Sequence, residues 1–123
     1  MFTLDTNAIL YYLKGDERAF PVIEKVLSES SPVYVSVVTE LELLSFPNST
    51  EHEITLIEKL LTTVSIMSLD SRLARIAATL RRMYRLKTPD SIIAATSLFT
   101  GTILLTRNTR DFLRISEVTV QPI

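Results

Sequence analysis

Along this chain, short β-branched runs alternate with stretches whose apolar residues recur every three to four positions. Phe2 to Leu4 is the first run, closed by Asp5-Thr6-Asn7, and Ala8 to Leu13 reads as a helix stopped at Gly15-Asp16. Pro21 sits in the first turn of a second helix, where Val22, Ile23, Val26 and Leu27 bury one face up to Ser28. Val33 to Val38 is β-branched and predicts a buried strand, after which Thr39 to Leu44 starts a helix that Pro47 ends. Glu53 to Leu61 is a further helix with Ile54, Ile57, Leu60 and Leu61 inward, and Val64 to Met67 a third strand. Asp70 is placed to cap a helix to Tyr84, striped by Leu73, Ile76, Ala77, Leu80 and Tyr84. Thr88-Pro89-Asp90 follows cap, first-turn proline, first-turn acid order and opens a helix that is apolar almost all round from Ile92 to Phe99, as a central buried helix would be. Gly101 stops it. Ile103 to Thr106 is a fourth strand, Thr109 to Leu113 a helical turn, and Val118 to Val120 a fifth strand.

Strands alternating with helices predict a three-layer α/β/α sandwich on a parallel sheet of about five strands, with a crevice at the carboxyl ends of the strands. At 123 residues, 46% of them hydrophobic, the chain is expected to form a single domain over residues 1–123 and to bury a core without cross-links. The absence of cysteine excludes thiolate chemistry, and the single histidine, His52, excludes multi-histidine metal sites and argues against a Ser-His-Asp triad. With Gly15 and Gly101 the only glycines, neither a phosphate-cradling loop nor a dinucleotide fingerprint can be built. No stretch reads as a signal peptide or a membrane span, which predicts a cytoplasmic protein with no membrane partner.

The net charge of −1 hides an asymmetry. Residues 1–70 hold four basic and eleven acidic side chains, whereas residues 71–123 hold nine basic and three acidic. Arg72, Arg75, Arg81, Arg82, Arg85 and Lys87 form one basic stretch and Arg107, Arg110 and Arg114 another, the raw material for contacts to a nucleic-acid backbone or simply a solvated helix face.

Four acids fall where strands end. Asp5 ends the first, Glu42 lies one turn into the helix after the second, Asp90 opens the buried helix before the fourth, and Asp111 follows the fourth. Gathered carboxylates repel one another and resist desolvation, so a cluster of them suits a hard cation such as magnesium or manganese and, through it, metal-assisted phosphodiester hydrolysis. Each acid also has a local reading. Glu42 stands three residues after Thr39, the spacing of a capping box; Asp90 complements a helix dipole; Asp111 follows an Asn108 cap; Asp5 could make an Asx-turn.

Taken in order, Leu4-Asp5-Thr6-Asn7, Ser36-Val37-Val38-Thr39-Glu40-Leu41-Glu42-Leu43, Pro89-Asp90-Ser91-Ile92-Ile93-Ala94-Ala95-Thr96 and Leu105-Thr106-Arg107-Asn108-Thr109-Arg110-Asp111-Phe112 resemble the PIN domain family, and within it the VapC-type toxin ribonucleases. The resemblance implies an endoribonuclease dependent on one or two Mg²⁺ or Mn²⁺ ions, with Asp5, Glu42 and Asp90 as metal ligands and Asp111 completing the acidic set. It prefers Glu42 to Glu40, which is expected to face solvent. Thr6 and Thr106 match small polar positions beside the acids, whose hydroxyls would orient a carboxylate or a metal-bound water. Asn108 stands where many relatives carry their fourth acid, which leaves the number of metals open. Arg81, Arg82, Arg85, Lys87, Arg107 and Arg110 would hold the RNA backbone. A small antitoxin protein and a homodimer are implied partners, in a prokaryotic cytoplasm. The alternative is a catalytically silent PIN-like module that binds RNA or protein, for which Asn108 is the sequence support. A phosphoacceptor receiver domain fits poorly, because the acid pair expected in its first loop and its switch lysine are missing.

Overall fold

Strand β1 (Phe2–Leu4) is paired on both sides, with β2 (Val33–Ser36) through Phe2 opposite Val33 and with β4 (Ile103–Thr106) through Leu4 opposite Leu105. Adding β3 (Ser65–Met67) and β5 (Val120–Pro122) at the edges completes an all-parallel sheet of order β3-β2-β1-β4-β5. The computed structural model describes residues 1–123.

Each strand presents alternate residues to opposite faces. Leu4, Val33, Val35 and Leu105 point into one apolar cluster, closed by α1 (Thr6–Leu13), α2 (Ala19–Ser28) and α4 (Glu51–Leu61). Leu104 points into the other, closed by α5 (Ser71–Tyr84), α6 (Thr88–Thr100) and the short α7 (Thr109–Phe112). The remaining helix, α3 (Val37–Leu44), contributes Leu43 to the first cluster and lays Val38 against the second, so it bridges the two layers. This is the expected α/β/α sandwich. No helix is long and apolar enough to cross a membrane.

Residues 91–97 of α6 are buried without interruption, as its unbroken apolar composition predicts, although Leu98 and Phe99 at its end are exposed. Asp70 caps α5 by accepting from the Leu73 N–H at 2.9 Å, and Gly101 ends α6 in the left-handed region at φ 65°.

Several boundaries differ from expectation. The second strand stops at Ser36 rather than Val38, because the Ser36 hydroxyl accepts from the Val38 N–H at 3.1 Å and turns Val37 and Val38 into the first helical turn. Thr39 is therefore not the helix cap, and the capping box with Glu42 does not form. A capping box does form at Thr50 and Glu53, starting α4 two residues before Glu53. Lys87, not Thr88, is the cap residue of α6. The fifth strand lies at Val120–Pro122 instead of Val118–Val120, since Val118 is drawn into the core ahead of the sheet.

Candidate active site

In the order β3-β2-β1-β4-β5, the chain leaves β1 toward β2 in one direction and returns to β1's other side only with β4. That reversal opens a crevice at the carboxyl ends of β1 and β4. Asp5 is the first residue past β1, and its N–H donates to the Leu105 carbonyl at 3.1 Å, so the ladder itself fixes its backbone. It occupies the cap position of α1, yet its carboxylate makes no capping bond there. Instead Oδ2 accepts from the Thr106 hydroxyl at 2.7 Å. Thr106 in turn accepts from the Asn108 N–H at 2.9 Å, which aims the hydroxyl proton at Asp5.

Glu42 is delivered by α3, and its freedom from capping duty matters. Its Oε1 accepts at 2.7 Å from the Thr6 hydroxyl, which also bonds the buried Thr39 hydroxyl at 2.9 Å. Asp90, in the first turn of α6, completes the group. Asp5, Glu42 and Asp90 line one cleft of about 310 Å³ together with Thr6, Asn7, Leu10, Ser45 and Phe46. No Lys or Arg forms an ion pair with any of the three.

The electrostatics follow from that arrangement. Asp5 is only 3% exposed, and burial pushes its pKa up from 3.8 to about 6; the Thr106 hydrogen bond opposes the rise and the charges of Asp90 and Glu42 add to it. Asp90 is also raised, first by burial and then by the charges of Asp111 and Glu42, with Lys87 opposing. None of these carboxylates is bonded to a counter-charge. The donor set is hard oxygen throughout, which fits Mg²⁺ or Mn²⁺ in chemical type. No three of the acids stand close enough to form a ready-made cage, so the fit is to an ion that keeps several waters and takes one or two carboxylates directly.

The PIN domain family model matches residues 2–118. The chain belongs to the PIN domain family. Ribonuclease VapC19 of Mycobacterium tuberculosis is 27% identical to this PIN domain over 117 residues, covering 91% of this chain and 92% of that protein. A toxin-antitoxin complex from Klebsiella pneumoniae contains a chain that superposes with a TM-score of 0.82 at 28% identity, covering 97% of this chain and 96% of that one. VapBC2 from Rickettsia felis, bound to a DNA fragment from its promoter, superposes at 0.85 over 99% of this chain and 98% of that one; at 18% identity the likeness is one of fold.

Other predicted site residues of this PIN domain lie farther out. Asp111 does not line the cleft: its Oδ2 accepts from the Asn108 side-chain amide at 3.1 Å, and its Oδ1 lies 4.0 Å from Arg114. Glu40 is half-buried and outside the cleft. Arg81, Arg82, Arg85, Lys87 and Arg110 are exposed. Arg107 differs from the other basic residues. Its guanidinium makes a two-pronged pair with Asp16 at 2.6 and 3.2 Å, donates to the Ile123 carbonyl at 2.9 Å and covers the Tyr11 ring at 4.0 Å. That fork is filled from within the molecule and ties the end of β4 to the loop after α1.

Four lining residues, Asn7, Leu10, Ser45 and Phe46, were not singled out as site residues in the sequence. Helical spacing gave no signal for Ser45 and Phe46, because α3 ends at Leu44 and both lie beyond it.

Proposed function

We propose that this PIN domain is a VapC-type toxin that hydrolyses RNA phosphodiester bonds as a Mg²⁺- or Mn²⁺-dependent endoribonuclease. One observation supports the reading above the rest: Asp5, Glu42 and Asp90 share a cleft at the sheet's reversal point with no lysine or arginine paired to them. Asp5, Glu42 and Asp90 would hold the metal, one or two of them directly and the rest through its waters. When bound, the ion supplies a water of lowered pKa and neutralises charge that develops on the phosphodiester.

The chain's own groups do the positioning. Thr106 fixes one oxygen of Asp5, and Thr6, braced by Thr39, fixes one oxygen of Glu42. Lys87 precedes α6 and its charge acts on Asp90, so the exposed basic side chains of Arg81, Arg82, Arg85 and Lys87 lead toward the cleft. We assign Arg81, Arg82, Arg85, Lys87 and Arg110 to the RNA backbone and leave Arg107 to the clasp with Asp16. Asn108 and Asp111, bonded to each other beside Asp90, form an outer pair that holds Thr106 and adds negative charge. The relatives named as VapBC and toxin-antitoxin complexes support a small antitoxin protein as the partner that silences the site. A homodimer of the single domain, in a prokaryotic cytoplasm, is the setting of the proposal.

The test is cleavage of an RNA pool by purified protein with manganese, with EDTA, and by Asp90→Asn in manganese. Cleavage by the wild type with metal alone is the expected result. Wild-type rates in Asp90→Asn, or in EDTA, would defeat the assignment of the carboxylates. The bond between Asn108 and Asp111 favours a second reading, a silent RNA-binding module; it requires that no condition yields cleavage and that manganese leaves the thermal midpoint unchanged.

A further inference from the structure

Helix α5 is closed from a distance. Its cap residue, Arg85, lies in the left-handed region at φ 54°, where residues other than glycine are uncommon, and its N–H makes no capping bond, whereas the N–H of Gly101 closes α6. The carbonyl of Tyr84, the last residue of α5, is satisfied instead by the Arg114 guanidinium, which donates to it at 2.6 Å from 30 positions away in sequence. A cation at this end also complements the helix dipole. The same short segment holds the other end of Tyr84: its hydroxyl bonds the Ser116 hydroxyl at 3.0 Å and donates to the Glu117 carboxylate. Phe112 and Ile115, both buried, seat that segment in the apolar cluster that also takes Leu86 from the turn after α5.

The two sides of this clasp lead to different acids. From Tyr84 the chain passes through Lys87, the cap residue of α6, to Asp90 in the first turn. Arg114 follows α7, where Asp111 accepts from the Asn108 side chain, the Asn108 N–H bonds the Thr106 hydroxyl, and Thr106 donates to Asp5. The second nitrogen of the Arg114 fork, Nη2, lies 4.0 Å from Asp111 Oδ1. One guanidinium thus stands between the arm that carries Asp90 and the arm that orients Asp5.

From this geometry we infer that Arg114 is a positioning residue of the acidic site: by capping α5 across the fold it clasps the turn between α5 and α6 to the segment after α7, and so sets Asp90 against Asp5. Its role differs from that of the exposed arginines of α5, because its strongest bond is spent inside the molecule. The inference rests on the proposed ribonuclease reading only for what the aligned acids do, which is to share an ion.

The experiment compares wild type with Arg114→Gln, Arg114→Lys and Tyr84→Phe in the absence of RNA. Manganese binding is read from the electron paramagnetic resonance of the free ion, and amide hydrogen exchange is followed in EDTA. Removing a cation beside Asp111 would by itself tighten manganese binding, whereas loss of the clasp weakens it, so the direction of the change separates charge from geometry. Expected are roughly tenfold weaker binding in Arg114→Gln, the low end for groups that orient the ligands of a metal, and a smaller loss in Tyr84→Phe, which alters no charge. Arg114→Lys should bind nearly as wild type, because an ammonium can still cap the Tyr84 carbonyl. Exchange should quicken in Arg114→Gln at Ser91, whose N–H bonds the Lys87 carbonyl at 3.0 Å, and in the turn before it, while β1 and its partner strands keep their protection. Tighter or unchanged manganese binding in Arg114→Gln would overturn the inference. So would exchange that rises evenly through the sheet, which marks a general loss of stability. If wild type binds no manganese, the metal reading fails by itself and the exchange pattern alone decides the clasp.

Discussion

Replacing Asp5 by Asn should stabilise the metal-free protein at neutral pH. The ionised Asp5 carboxylate is buried beside two other acids, and its pKa stands at about 6 against an ordinary 3.8. Each tenfold shift is worth about 1.4 kcal/mol, so keeping this group charged at pH 7 costs the folded state about 3 kcal/mol. The sign follows from proton binding: the folded protein holds this proton more tightly than the unfolded chain. The associated stability is complete below about 3.8 and is lost as pH rises through about 6. An asparagine in its place would keep the acceptor for Thr106 and carry no charge, so Asp5→Asn should exceed wild type by about 3 kcal/mol at pH 7 and match it near pH 4. Urea unfolding in EDTA across that range measures the difference, a midpoint shift of about 1.5 M at a slope of about 2 kcal/mol/M. Manganese at a hundred times its Kd should then return about 3 kcal/mol to the wild type and little to the variant. A gain independent of pH, or no gain at pH 7, would refute the account of a desolvated, uncompensated carboxylate.

Other expectations concern the supports of the site. Leu43→Ala removes a fully buried side chain one residue from Glu42 and should cost about 2–5 kcal/mol in urea unfolding, with weaker manganese stabilisation. Asp16 is held well below the usual carboxylate range, chiefly by the Arg107 hydrogen bonds and then by the Ala19 N–H, so its stabilisation is present near neutrality and fades in acid. Asp16→Asn should therefore be destabilised most at pH 7 and converge on wild type as pH falls, in the opposite sense to Asp5→Asn. Combined replacement of Arg81, Arg82 and Arg85 by Gln should lower the salt dependence of single-stranded RNA binding by about 2, because each phosphate that loses its cation accounts for about 0.7 of the slope. An unchanged slope would remove those arginines from the RNA path.

Most of the architecture was legible because periodicity reports burial. The first and fourth strands and the long helix from Ser71 carry clean patterns, and the sheet orders them as a parallel α/β chain should. Errors arose where one local signal competed with another. Val37 and Val38 are β-branched and read as strand, but the Ser36 hydroxyl captures the Val38 N–H and starts a helix. The same event dissolves the apparent capping box between Thr39 and Glu42 and turns Glu42 toward Thr6, a residue 36 positions away. Convergence of Asp5, Glu42 and Asp90 on one cleft could be anticipated from strand ends. The role of Arg107 could not: basic clustering says nothing of Asp16, which lies 91 residues away in sequence and fills its fork. The cleft's aromatic residue, Phe46, was not legible, because it lies beyond the end of α3 at Leu44, where helical spacing no longer reports a face.

The placement of β1 at the centre of the sheet also sets a timetable. A growing chain carries Asp5 long before the hydroxyl that orients it, which lies 101 residues later, at Thr106. One neighbour of β1 is made after residue 33 and the other only after residue 103, with Asp90 in the interval. Until the strand ending at Thr106 has left the ribosome and slid in beside β1, Asp5 has neither its ladder bond to Leu105 nor the hydroxyl that orients it. The ribosome that makes this protein thus releases the first acid 101 residues before the side chain that orients it, and through that interval the centre waits for that support.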